Sequence, residues 1–117
     1  MSVQSSTSEK VGQAWRQYRE GRTDAAMKEF EAILRQNPED IDASYGLGLT
    51  QKASGQVDLA GKTFSDTLKL INVAKDQYES SRQVNFEDSN VKTPEDDRFM
   101  MLDRMVRQRL EEIKTAS

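Results

Sequence analysis

Residues 21–34 read GRTDAAMKEFEAIL, and residues 55–68 read GQVDLAGKTFSDTL. A period of 34 residues is typical of a unit of two helices, which buries its apolar side only by stacking on a neighbouring unit. The repeat therefore predicts stacked helices with an extended surface of the kind that holds other proteins. Six residues recur at this fixed offset, namely Gly21, Asp24, Ala26, Lys28, Phe30 and Leu34 as Gly55, Asp58, Ala60, Lys62, Phe64 and Leu68.

Helix start and stop residues divide this part of the chain into two helix pairs. Ser6 is placed to cap the first helix, and Gly21 ends it. Thr23 is placed to cap the second helix, which Pro38 ends, and Asp40 to cap the third. The predicted boundaries are 1–7 for a flexible leader, 8–40 and 41–74 for two repeats, and 75–117 for a helix overrun, a loop and a last helix in the same domain.

The part after the second repeat departs from the pattern. No proline follows Leu70, and the apolar spacing continues as far as Tyr78, which predicts a fourth helix from 57 to 80 that overruns the repeat. After a predicted loop, Thr93 supplies a cap and Pro94 the first position of a final helix. This helix must bury an apolar stripe formed by Phe99, Leu102, Val106, Leu110 and Ile113.

Composition excludes several classes of function. The 117 residues carry a formal charge of −3, so no general positive field favours nucleic acid. Cysteine and histidine are absent, which removes thiol nucleophiles, imidazole bases and the usual zinc ligands. The acidic clusters lack the spacing of a calcium loop. We therefore expect no enzyme activity, no metal, no cofactor and no membrane partner, and the polar start, unlike a signal peptide, predicts a cytoplasmic protein.

Residues 7–74 resemble two tandem tetratricopeptide repeats. The motif residues are Leu47 and Gly48, the pairs Gly21 and Gly55, Ala26 and Ala60, Phe30 and Phe64, and finally Pro38. The resemblance implies an all-α fold, a right-handed superhelix of two helix pairs with a long fourth helix and a C-terminal packing or capping helix. It also implies protein recognition, because in this family the first helix of each repeat lines a concave groove.

Carried onto this sequence, the resemblance predicts an apolar and aromatic groove that holds a peptide or helix of a partner protein. The family's carboxylate clamp needs Lys and Asn where this chain has Val11 and Trp15, so that variant is disfavoured. The protein is then a non-catalytic adaptor or scaffold. The predicted groove residues are Val11, Trp15, Tyr18 and Arg19 in the first repeat, and Asp42, Tyr45, Leu49 and Lys52 in the second.

The last helix leaves three alternatives open. It fills the groove, it caps the end of the array, or it pairs with a second copy of the chain. The last alternative predicts a homodimer that assembles through the fourth and last helices, because a repeat array without a polar cap exposes its stacking face. The residues assigned to self-association or capping are Tyr78, Phe99, Met101, Leu102, Met105, Val106, Leu110 and Ile113.

Overall fold

The computed structural model describes residues 7–82 and 94–116 as five α-helices, and the predicted all-α class is confirmed. Each of the first four helices packs on the helix that follows it in the chain. The predicted caps Ser6 and Thr93 lie outside the described residues. The helices are α1 Thr7–Arg19, α2 Thr23–Gln36, α3 Ile41–Ala53, α4 Val57–Arg82 and α5 Pro94–Ala116.

The two helix pairs turn in the same way. Gly21 and Gly55 have φ values of 85° and 86°, a left-handed conformation that glycine adopts without steric cost. After α1, the Arg22 N–H donates to the carbonyl of Gln17 at 2.8 Å, and after α3 Gln56 donates to Gln51 at the same distance. These are the bonds of a Schellman motif, which satisfies the last carbonyls of a helix. The sequence repeat is thus a repeat of backbone geometry.

Helix starts follow the sequence less closely. Asp40 caps α3 as predicted, because its side chain accepts a hydrogen bond from the Ala43 N–H at 2.9 Å. The prediction that Thr23 caps α2 is wrong. Thr23 is already the first residue of the helix, and Arg22 occupies the cap position without a side-chain hydrogen bond. The Ala26 N–H instead donates to the Arg22 carbonyl, so the backbone begins the helix one residue earlier than expected.

Close approach between helices depends on two glycines in α3. A Cβ atom on Gly46 would lie 2.4 Å from Cζ of Phe30 on α2, and one on Gly48 would lie 2.4 Å from Cε1 of Phe64 on α4. Both phenylalanines are fully buried. Any side chain at either glycine would overlap a ring, so α3 can receive both rings only because these positions lack Cβ. The Gly46-Leu-Gly48 sequence is a packing feature.

The core consists of two clusters, one for each helix pair. The first is built around Phe30 and the second around Phe64. α4 has 26 residues, two more than predicted, and its overrun is covered by α5. Leu102 and Val106 of α5 are buried in the second cluster together with Ile71 of α4. The last helix therefore completes the core of the second helix pair.

Candidate functional site

The first helices of the two pairs, α1 and α3, lie side by side and bring their aromatic residues together. The ring centroid of Trp15 lies 6.3 Å from that of Tyr45, across the two helices. Within α1, Trp15 meets Tyr18 edge-on with 6.0 Å between centroids. All three rings are half-buried, with one side on protein and one toward solvent. We call the surface formed by these rings with Leu49 and Lys52 the inner face.

Two buried phenylalanines support the inner face from below. The Trp15 ring packs edge-on against Phe30 with 5.1 Å between centroids, and the Tyr45 ring lies 5.9 Å from Phe64. Such aromatic pairs contribute about 0.5–1.5 kcal/mol beyond the area that they bury. Because the rings are held by the core, a partner would not have to order them, and the entropy lost on binding is reduced.

A polar cluster lies where α5 reaches the inner face. Lys52 Nζ donates to Glu112 Oε1 at 2.7 Å, and Arg109 Nη1 donates to the same oxygen at 3.0 Å. Two cations thus share one carboxylate. The hydrogen bond from Lys52, helped by the charge of Arg109, lowers the pKa of Glu112. Burial raises the pKa of the Tyr45 phenol, and the Arg109 charge opposes that effect.

The position of α5 bears on the alternatives that the sequence left open. A helix lying in the groove would pack on both α1 and α3. In the part of the chain that the structure describes, α5 packs mainly along α4 and meets α3 at the Lys52–Glu112 ion pair. We therefore describe α5 as a side wall of the inner face that leaves Trp15 and Tyr18 uncovered.

The predicted groove residues fall into three environments. Five of them make up the inner face. Two more, Arg19 and Asp42, are exposed near it. Val11 differs from the prediction, because its side chain is 8% exposed and belongs to the first core cluster. The apolar residues of α1 have to pack against α2 as well as face the groove. Val11 is one of the residues that packs in the core with those of α2.

The residues assigned to self-association or capping lie mostly within the molecule. Leu102 and Val106 are buried, and the Tyr78 ring on α4 lies 5.9 Å from that of Phe99 on α5. Met101 differs, with 57% of its surface exposed. The remaining members are all half-buried. Phe99, Leu110 and Ile113 pack against the second core cluster, and Met105 lies elsewhere on α5.

Sequence reasoning missed Arg109 and Glu112. Their spacing of three residues on one helix is a recognisable sign of an ion pair. Nothing in the sequence indicated that Glu112 would reach Lys52, because the two are 60 residues apart in the chain. That contact follows only from the packing of α5 on α4.

Comparison with known proteins agrees with this architecture. Residues 17–79, more than half of the chain, match the sequence model of the tetratricopeptide repeat. The chain belongs to the tetratricopeptide repeat family. No curated protein matches it significantly. A solved structure with a similar fold is the type III secretion translocator chaperone SycD of Yersinia enterocolitica, described as an alternative dimer, with 24% identity, 96% coverage of each chain and a TM-score of 0.54.

Tetratricopeptide repeat proteins are non-catalytic in kind, and the family assignment supports a protein–protein interaction module. At 24% identity the likeness to SycD shows the fold alone. Within residues 7–82 and 94–116, no three acidic side chains gather as a metal site would require. None of the described helices is both long and apolar enough to cross a lipid bilayer.

Proposed function

We propose that this tetratricopeptide repeat protein is a non-catalytic adaptor whose inner face binds an apolar or amphipathic segment of a partner protein. The observation that carries the proposal is the line of rings from Phe30 through Trp15 to Tyr45 and Phe64. Aromatic side chains that are anchored at one edge and open at the other dominate the binding energy of many interfaces.

The polar cluster supports a more specific expectation about the partner. Lys52 and Arg109 together carry one more charge than Glu112 neutralises. A bound segment can therefore place a carbonyl or carboxylate oxygen at this end and its apolar side chains on Trp15 and Tyr18. An amphipathic helix with one acidic end fits this division of the inner face.

Photo-crosslinking in the native cell extract tests the proposal directly. A photoreactive amino acid replaces Tyr18 on the inner face, and in a matched control it replaces Leu59, which is 50% exposed on α4. We expect position 18, and not position 59, to give one dominant crosslinked protein. Mass spectrometry of the crosslinked peptide should find apolar residues at helical spacing. Equal capture at both positions would contradict binding at the inner face.

Binding must then be separated from folding. Trp15→Ala removes a ring that packs on Phe30, so loss of capture could follow from loss of stability. Trp15→Phe keeps an aromatic ring on Phe30 and removes part of the exposed surface. With the partner identified by crosslinking, we expect Trp15→Phe to weaken its binding while the helical circular dichroism and thermal midpoint change little. Unchanged affinity in both Trp15→Phe and Tyr18→Ala would refute the role of the rings.

A further inference from the structure

We propose that Glu112 occupies, in the free protein, the place of a carboxylate of the partner segment, and that this carboxylate displaces it from Lys52 and Arg109 on binding. The inference rests on the proposed function, because it concerns one end of the inner face. It adds that the partner brings an acidic side chain to this end, and that Glu112 lowers the affinity for it by competing for the same two cations.

The two cations are only partly satisfied by Glu112. Lys52 Nζ and Arg109 Nη1 both donate to its Oε1 atom, and neither side chain donates another hydrogen bond within the described residues. An ammonium group can donate three hydrogen bonds and a guanidinium group five. Arg109 Nε is buried without a hydrogen-bond partner, and Arg109 makes a single contact with Glu112 where the strong guanidinium–carboxylate pairs make two. Donor capacity therefore remains for an incoming carboxylate.

The cluster is open enough for one carboxylate to replace another. The side chains of Lys52, Arg109 and Glu112 are 33%, 29% and 38% exposed, so the ion pairs lie at the boundary between protein and water. Ion pairs of this kind contribute little to stability, because water and salt screen them. Release of Glu112 into solvent therefore costs little, and the incoming carboxylate recovers the contacts that Glu112 gives up.

The cluster also adjoins a ring that the proposed partner would contact. The Tyr45 phenol, whose pKa is raised by burial, feels the charges of Arg109 and Glu112. A segment that places an apolar side chain on Tyr45 therefore brings its neighbouring residues to the two cations. A neutral carbonyl group would not compensate two positive charges, so it would leave Glu112 in place. The side chain that can exchange with Glu112 is the carboxylate of an aspartate or a glutamate.

Two synthetic peptides serve as probes of this exchange. Both are the same amphipathic helix with leucines at helical spacing, and one carries a glutamate at each end where the other carries a glutamine. Either direction of binding then brings the varied residue to the cations. Binding of the fluorescein-labelled peptides to the full chain is followed by anisotropy. We expect Glu112→Gln to tighten the glutamate peptide about fivefold and to change the glutamine peptide by less than about twofold.

Controls separate exchange from general charge and from folding. Glu111→Gln removes the same charge from the next residue of α5, which is exposed and lines the groove between α4 and α5, and it should leave both affinities nearly unchanged. Lys52→Gln, combined with Glu112→Gln, removes one receiving cation and should reduce the preference for the glutamate peptide. A purely structural role for Glu112 predicts the opposite sign, because loss of the ion pair would then weaken both peptides. Circular dichroism should show equal helical content for all variants.

The outcomes distinguish this proposal from the inner-face proposal. If Glu112→Gln binds the glutamate peptide no more tightly than the unaltered chain, the exchange is overturned. The inner-face proposal then stands if Tyr18→Ala still weakens both peptides. An equal gain in Glu111→Gln would also overturn the exchange, because the effect would then come from net charge alone. If neither peptide binds any variant at millimolar concentration, both proposals fail.

Discussion

Replacement of Gly48 by alanine should destabilise this protein, although alanine is the better helix former. Gly48 lies inside α3, where an exposed Gly→Ala change would stabilise the helix by about 1 kcal/mol. The new Cβ would lie 2.4 Å from Cε1 of Phe64, whereas non-bonded carbon atoms settle about 3.5–4.0 Å apart. The ring would have to retreat by about 1 Å. Phe64 has no exposed surface, so the displacement presses on the surrounding core.

The size of the effect follows from these opposing contributions. Overpacking of a core by one carbon costs about 1–3 kcal/mol, and the gain in helix propensity offsets about 1 kcal/mol of it. We expect a net loss of about 1 kcal/mol, which lowers the midpoint of thermal unfolding by about 4 °C. The assay is thermal unfolding followed by circular dichroism at one protein concentration.

Gly12 provides a matched control within the same chain. It lies inside α1, and a Cβ there would meet no atom within 4 Å. Gly12→Ala should therefore raise the midpoint by a few degrees. A Gly48→Ala midpoint that rises like that of Gly12→Ala would refute the reasoning. A second check combines Gly48→Ala with Phe64→Leu, where we expect the loss to be smaller than the sum of the single losses by about 0.5–3 kcal/mol.

Two further predictions concern the polar cluster and are read by pH titration. The pKa of Glu112 is lowered in the folded state, so its contribution to stability should be complete above its ordinary pKa of 4.5 and should disappear as the pH falls through the folded pKa. Between pH 7 and pH 3, the midpoint of denaturant unfolding should therefore fall less for Glu112→Gln than for the unaltered chain. An equal fall in both proteins would argue against this contribution. Burial raises the pKa of the Tyr45 phenol above 10.0, so the phenolate signal that Tyr45→Phe removes from the ultraviolet titration of the folded protein should have its midpoint above pH 10, and stability should fall as the pH rises past 10. A removed signal with its midpoint at or below pH 10 would contradict this expectation.

The sequence predicted features that depend on residues only a few positions apart, such as the ends and caps of helices. Gly21 and Gly55 marked the helix ends because a left-handed residue is needed there, and Asp40 marked a helix start because its short side chain can reach the Ala43 N–H. Thr23 failed as a cap because the Ala26 N–H donates to the Arg22 carbonyl, which places Arg22 at the cap position and Thr23 inside the helix.

Contacts between distant residues were not predictable in the same way. The 34-residue period placed Trp15 and Tyr45 on equivalent helices, but it carries no information about α5, which lies beyond the second repeat. The reach of Glu112 to Lys52 depends on how α5 packs along α4. The burial of Val11 depends on the width of the α1–α2 contact. Such properties arise from several helices together, so no local pattern in the sequence records them.

The matching turns after α1 and α3 also bear on how this protein can change in length. Both turns end one helix and direct the next with the same backbone hydrogen bonds, and α3 accepts a phenylalanine from the helix on either side. A duplicated copy of residues 21–54, inserted after residue 54, would therefore meet the same local geometry at both junctions. Chain growth by duplication would add a second copy of Tyr45 to the inner face and a second copy of Phe30 beneath it, without redesign of either end. The protein thus retains the means by which its two repeats could have arisen from one.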